Sequence, residues 1–144
     1  MGTGSIKVLI IEDERDVRLY LANLLRANGY DALTAANITE GMNLACSARP
    51  ALIVLDAMLP GDDAQRLYTQ FRCQAGLCSV PVVLLSSITR RALAGSRRYG
   101  GGASPKDLPP PNAFLLKPPE AEDFLAVVRR LTAHPEKAGE KGAL

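Results

Sequence analysis

Residues 51–61 read Ala51-Leu-Ile-Val-Leu-Asp56-Ala-Met-Leu-Pro-Gly61: four consecutive aliphatic residues, one acid, then a proline-glycine turn. A strand with one wet face alternates apolar and polar residues. An unbroken aliphatic run instead describes a strand covered on both faces, as in a parallel sheet between layers of helices. Asp56 then falls at the carboxyl end of that strand, and open α/β sheets bind their ligands just beyond those ends.

The same arrangement recurs on either side. Ile10-Ile11 runs into Glu12-Asp13, Leu84-Leu85 into Ser86-Ser87, and Leu115-Leu116 into Lys117-Pro118. If these strands lie side by side, one site collects two adjacent acids, a third carboxylate, a hydroxyl and an ammonium.

The intervening segments carry helical spacing. Val17, Leu19, Tyr20, Leu21, Leu24 and Leu25 recur along 14–28 before a stop at Gly29. Tyr30 to Ala35 reads as a second, half-polar strand. Asn37 and Glu40 form a candidate capping box for a helix ending near Arg49-Pro50. A third helix presents Leu67, Tyr68 and Phe71, and a last one, expected from Pro119, buries Phe124, Val127, Val128 and Leu131. Strands at Ile6–Ile11, Ala51–Leu55, Val80–Leu85 and Ala113–Leu116 complete five β-α units. The fold class is therefore α/β, a doubly wound parallel sheet with helices on both faces.

Between the fourth and fifth strands the pattern breaks. Gly100-Gly-Gly102 and Pro109-Pro-Pro111 both oppose regular structure, so an irregular fourth helix and a mobile loop over 100–111 are expected. Arg90, Arg91, Arg97 and Arg98 concentrate charge there. Without an aromatic platform they read as a solvated helix face, and no direct DNA binding is expected.

With 144 residues, the expected layout is a flexible leader over 1–5, one domain over 6–133, and a disordered tail or linker start over 134–144. Such a length is too short for this domain plus a separate output module. The 47% apolar and 22% charged fractions suit a globular protein. No apolar run has the length of a membrane span, and the first residues lack signal-peptide character, so a cytoplasmic location is expected. Cys46, Cys73 and Cys78, with His134 as the sole histidine, make a poor zinc set and are read as reduced, structural thiols.

Taken in order, Glu12-Asp13, Asp56 followed by Ala-Met-Leu-Pro-Gly, Ser86 and Lys117-Pro118 resemble the receiver domain of two-component response regulators, over about Ile6 to Thr132. The resemblance implies a single five-stranded sheet in the order 2-1-3-4-5. It implies that Asp56 accepts a phosphoryl group from a sensor histidine kinase or histidine phosphotransfer protein. It implies Mg2+ held by Asp13, Asp56 and the backbone carbonyl of Met58, with Glu12 acting mainly through water. Lys117 would pair with Asp56 and then with the phosphoryl group, across a Lys117-Pro118 bond for which cis geometry is implied. Ser86 would donate to the phosphoryl group, with Ser87 as the alternative hydroxyl. Phe114 matches the switch aromatic, and Ser86 and Phe114 together would bias the face of the fourth helix, fifth strand and fifth helix. That face would serve a downstream protein target, an output domain outside this chain, or a homodimer. No enzymatic turnover beyond self-catalysed phosphoryl transfer and dephosphorylation is implied.

Other readings remain open on the residues. A receiver-like binding module that takes no phosphate fits the irregular fourth-helix region. A small phosphatase with an Asp nucleophile fits the sheet, but Met58 stands where such enzymes carry a second Asp. No Gly-x-Gly-x-x-Gly or Walker-type Lys-Ser/Thr motif points to a nucleotide.

Overall fold

The computed structural model describes residues 5–89, 91–92 and 110–133. The elements run β1 (Lys7–Ile11), α1 (Arg15–Ala27), β2 (Asp31–Ala35), α2 (Ile38–Ala48), β3 (Leu52–Asp56), α3 (Asp63–Cys73), β4 (Val82–Ser86), β5 (Ala113–Leu116) and α4 (Ala121–Thr132). All neighbouring strands pair in parallel, in the order β2-β1-β3-β4-β5. The expected helix and loop between β4 and β5, the leader and the tail fall almost entirely outside the described residues. Of the arginine cluster only Arg91 is described, and it is exposed and helical.

Side chains alternate across a strand, so each β-strand feeds two cores. Leu9, Ile11, Ile53, Leu55, Val82 and Leu84 face α2 and α3, where they meet Ala45, Leu67 and Phe71. Val8, Ile10, Leu52, Val54, Val83 and Leu85 face α1 and α4, against Leu21, Leu25, Phe124 and Val128. Each fully buried aliphatic side chain contributes about 1.5–3 kcal/mol of transfer free energy. Both layers are therefore needed to hold the central strands. α2 approaches β1 closely enough that a Cβ on Gly41 would come 2.8 Å from Ile11 Cδ1, which explains a glycine inside that helix.

Local geometry adds detail to the sequence pattern and shifts one helix start. Leu19 and Tyr20 lie on the outside of α1, 45% and 37% exposed, because at 100° per residue they turn away from the Leu21-Leu25 stripe. α4 begins at Ala121 rather than Pro119: Glu120 is an extended N-cap, and the Pro119 carbonyl instead accepts the Tyr20 hydroxyl at 3.0 Å. The Asn37 side chain accepts the Glu40 N–H at 2.9 Å, but the Glu40 carboxylate reaches back to the Ala36 N–H rather than to Asn37. All three cysteines are free, as expected of reduced thiols, and exposed.

Candidate functional site

The carboxyl ends of β1, β3, β4 and β5 converge because parallel registry aligns them. Ile11 pairs with Leu55, Asp56 with Leu85, and Ser86 with Leu116. Glu12 follows β1, Asp56 and Ser86 close β3 and β4, and Lys117 follows β5. Glu12, Asp56 and Ser86 are fully buried, whereas Asp13 lies on the solvent side.

One carboxylate oxygen from each of Glu12, Asp13 and Asp56 lies within 4.8 Å of the others. The Lys117 ammonium is held among three acids, 2.8 Å from Glu14 Oε1, 3.1 Å from Glu12 Oε2 and 3.4 Å from Asp56 Oδ1. The Met58 N–H also donates to Asp56 Oδ1, at 2.8 Å. Among the described residues, Glu12 Oε1 and Asp56 Oδ2 are buried without a hydrogen-bond partner. Buried carboxylate oxygens are costly without a donor or a cation. An oxygen-only donor set with two open oxygens suits a hard divalent ion such as Mg2+, which is commonly held by one or two carboxylates and water.

The electrostatics follow from crowding acids out of water. Burial, followed by the hydrogen bond and charge of Glu12, lifts Asp56 from 3.8 to about 6, against the Met58 amide and Asp13. Asp13 also lies above its ordinary value, through loss of water and then the Asp56 carboxylate, with Lys117 opposing. For Lys117, burial alone would favour the neutral amine, but Glu14, Asp56 and Glu12 outweigh it and hold the ammonium charged beyond the ordinary lysine range.

The Ser86 hydroxyl is engaged with its own loop. It donates to the Ile88 carbonyl at 2.9 Å, accepts the Ile88 N–H at 3.0 Å, and lies 3.5 Å from Met58 Sδ. Ser87 is exposed. Phe114 is half-buried opposite Leu84, and it packs with Met58 and Ile88 against the α2/α3 core. The Lys117-Pro118 bond is cis. Residues 8–99 match the response regulator receiver domain family.

The chain belongs to that family.

Receiver domains of this family take part in phosphorylation-dependent two-component signalling, interact with histidine kinases and bind Mg2+ at an acidic site. Response regulator MprA of Mycobacterium tuberculosis is 32% identical over 142 residues, covering 97% of this chain and 57% of that protein. Response regulator Rre1 of a Synechocystis strain is 31% identical over 139 residues, covering 96% and 56%. The chain thus spans about half the length of the curated relatives it matches. Among solved structures, chemotaxis response regulator CheY4 of Vibrio cholerae superimposes with a TM-score of 0.74 at 23% identity, covering 89% of this chain and 99% of that one. The receiver domain of a sensor histidine kinase from Pseudomonas aeruginosa, described with a magnesium ion coordinated in its active-site cleft, gives 0.72 at 21%, covering 91% and 100%. No helix among the described residues is long and apolar enough to cross a membrane.

Two residues of this receiver site escape a sequence reading. Glu14 is the α1 N-cap, yet its side chain caps nothing and reaches Lys117. Arg18 donates to the Glu12 and Asp13 carbonyls at 2.8 and 3.4 Å, tying the acidic loop to α1. An acid directly after the acidic pair, and an arginine one turn into the helix, were the available signals.

Proposed function

We propose that this receiver domain accepts a phosphoryl group on Asp56 from a histidine kinase or histidine phosphotransfer protein, or from a small phosphodonor. The observation carrying this reading is the Glu12, Asp13 and Asp56 cluster, within 4.8 Å, with Lys117 paired to Glu12 and Asp56. Asp13, Asp56 and the Met58 carbonyl would hold Mg2+, with Glu12 behind them. A bound Mg2+ supplies positive charge that lets two anions approach.

The protein's own groups carry the rest. Asp56 Oδ1 is held by the Met58 N–H and Lys117, which orients the carboxylate for attack. An Asp56 oxygen forms a P–O bond while the P–N bond to the donor histidine, or the P–O bond to acetate, breaks. The leaving group departs with its electron pair. Lys117 then meets the phosphoryl oxygens as a mobile point charge. The Ser86 hydroxyl gives up the Ile88 carbonyl to donate to the same group. Ser86 contacts Met58 and Ile88, which with Phe114 pack against the same core layer, so a move by Ser86 would free space that Phe114 can enter. A downstream protein, or an output domain outside this chain, would read the resulting change around β5 and α4.

Incubation with acetyl phosphate and Mg2+, followed by intact-mass measurement, should show one added phosphoryl group, and none on Asp56→Asn. Undiminished labelling of that variant sinks the assignment.

A further inference from the structure

Resting on this reading of the site, we infer that Glu14 is a positioning residue that shares the Lys117 ammonium with Glu12 and Asp56 and draws it toward the solvent side of the site in the resting protein, releasing it when a cation and phosphoryl group arrive. An ammonium has three donor hydrogens, and Lys117 has three carboxylates within ion-pair distance. The shortest contact, 2.8 Å, goes to Glu14, and the longest, 3.4 Å, to Asp56.

To reach a phosphoryl oxygen, Lys117 must loosen one present contact. Glu12 is a poor one to loosen, because its carboxylate is fully buried and its Oε1 already lacks a partner. Asp56 is the acceptor itself. The Glu14 side chain is 59% exposed, so water replaces the ammonium there at little cost. Glu14 is therefore the contact that breaks.

The same contact acts before phosphorylation. A lysine collapsed onto Glu12 and Asp56 would compete with a divalent ion for their oxygens. By taking a share of the ammonium, Glu14 limits that competition, and Glu12 Oε1 and Asp56 Oδ2 stay open. The local cost is visible in the backbone. An N-cap side chain ordinarily accepts an amide of the first helical turn, and Glu14 makes no such bond. Its carboxylate serves Lys117 instead of its own helix.

Mg2+ titration by calorimetry separates pairing from charge. Glu14→Asp keeps the charge but is one methylene too short for the 2.8 Å contact. Affinity for Mg2+ should fall about three- to fivefold in Glu14→Asp, as expected for one partly exposed ion pair, and at least as far in Glu14→Gln. In a Lys117→Met background Glu14→Asp should have no further effect, because Glu14 acts through Lys117. Wild-type affinity in Glu14→Asp, or an equal loss with and without Lys117, would overturn the inference while leaving the Asp56 assignment intact. Labelling that persists in Asp56→Asn would overturn the functional reading instead.

Discussion

The two ends of this sheet treat charge in opposite ways. At the amino ends of β4 and β5, Arg72 from α3 donates to the Cys78 and Val80 carbonyls at 3.2 and 2.7 Å and to Asn112 Oδ1 at 2.9 Å. The same Asn112 oxygen takes the Val82 N–H at 2.9 Å, and the guanidinium lies 5.1 Å from the Tyr68 ring. Both guanidinium NH2 groups there are spent on protein partners, although Nε is left over. At the carboxyl ends, three acids share one lysine, and two buried carboxylate oxygens have no donor. A charge serving stability is closed off by its own chain. A charge serving exchange is left short of partners, and the deficit is what a ligand can fill.

Perturbing each end tests that contrast. The largest effect is expected from Lys117→Ala, which strands Glu12 and Asp56 in the interior. Unfolding in urea at neutral pH without Mg2+ should show a loss of about 3 kcal/mol, with phosphoryl uptake slowed at least tenfold. At the other end, Arg72→Ala should cost about 2 kcal/mol in the same experiment through lost charge-assisted bonds, with phosphoryl uptake unchanged. Slowed uptake in that variant would mean that the two ends are coupled.

A smaller effect concerns pH. Folded Asp56 titrates near 6 against 3.8 for the free group, so between those values the folded state holds a proton that the unfolded chain has released. The metal-free protein should therefore gain stability from this group as pH falls from 7 toward 4, by about 2 kcal/mol. The difference between wild type and Asp56→Asn isolates that contribution. Saturating Mg2+ should reverse its slope, because a bound cation favours the ionised carboxylate. Arg72→Ala should keep the metal-free slope, since Arg72 lies at the opposite end of the sheet from Asp56. The smallest change is expected for Asp13→Ala. Removing this solvent-side acid should raise metal-free stability by a few tenths of a kcal/mol, up to about 1, while weakening Mg2+ binding. Wild-type Mg2+ affinity in that variant would remove Asp13 from the ligand set.

The carboxyl end was largely legible in the chain because its residues follow aliphatic runs. Ile10-Ile11, Leu52 to Leu55 and Leu84-Leu85 announce buried strands, and parallel pairing then carries Glu12, Asp56 and Ser86 to one place. The amino end was not legible. Arg72 and Asn112 are polar residues 40 positions apart, in segments with no pattern linking them. Glu14 was hidden for the same reason: it extends the acidic pair, but its partner lies 103 residues further on. Leu19 and Tyr20 belong to the apolar set of α1 yet lie outside its buried stripe, because hydrophobicity alone does not say which apolar residues face the core. The irregular stretch expected over 100–111 falls, but for Pro110 and Pro111, outside the described residues.

Strand order also has a temporal side. With β1 between β2 and β3, the first 56 residues contain three strands, β1 pairing with both others, and β4 and β5 are then laid in turn on one growing edge. A chain emerging from the ribosome can assemble that first half, acids included, before Lys117 has been made. At about 5–20 residues per second the wait is roughly 3–12 s. During it Glu12, Asp13 and Asp56 have no ammonium among them, and the nascent sheet must leave its carboxyl end open to water or borrow a cation from solution. The site is thus born electron-rich, and its own lysine is the last piece to arrive.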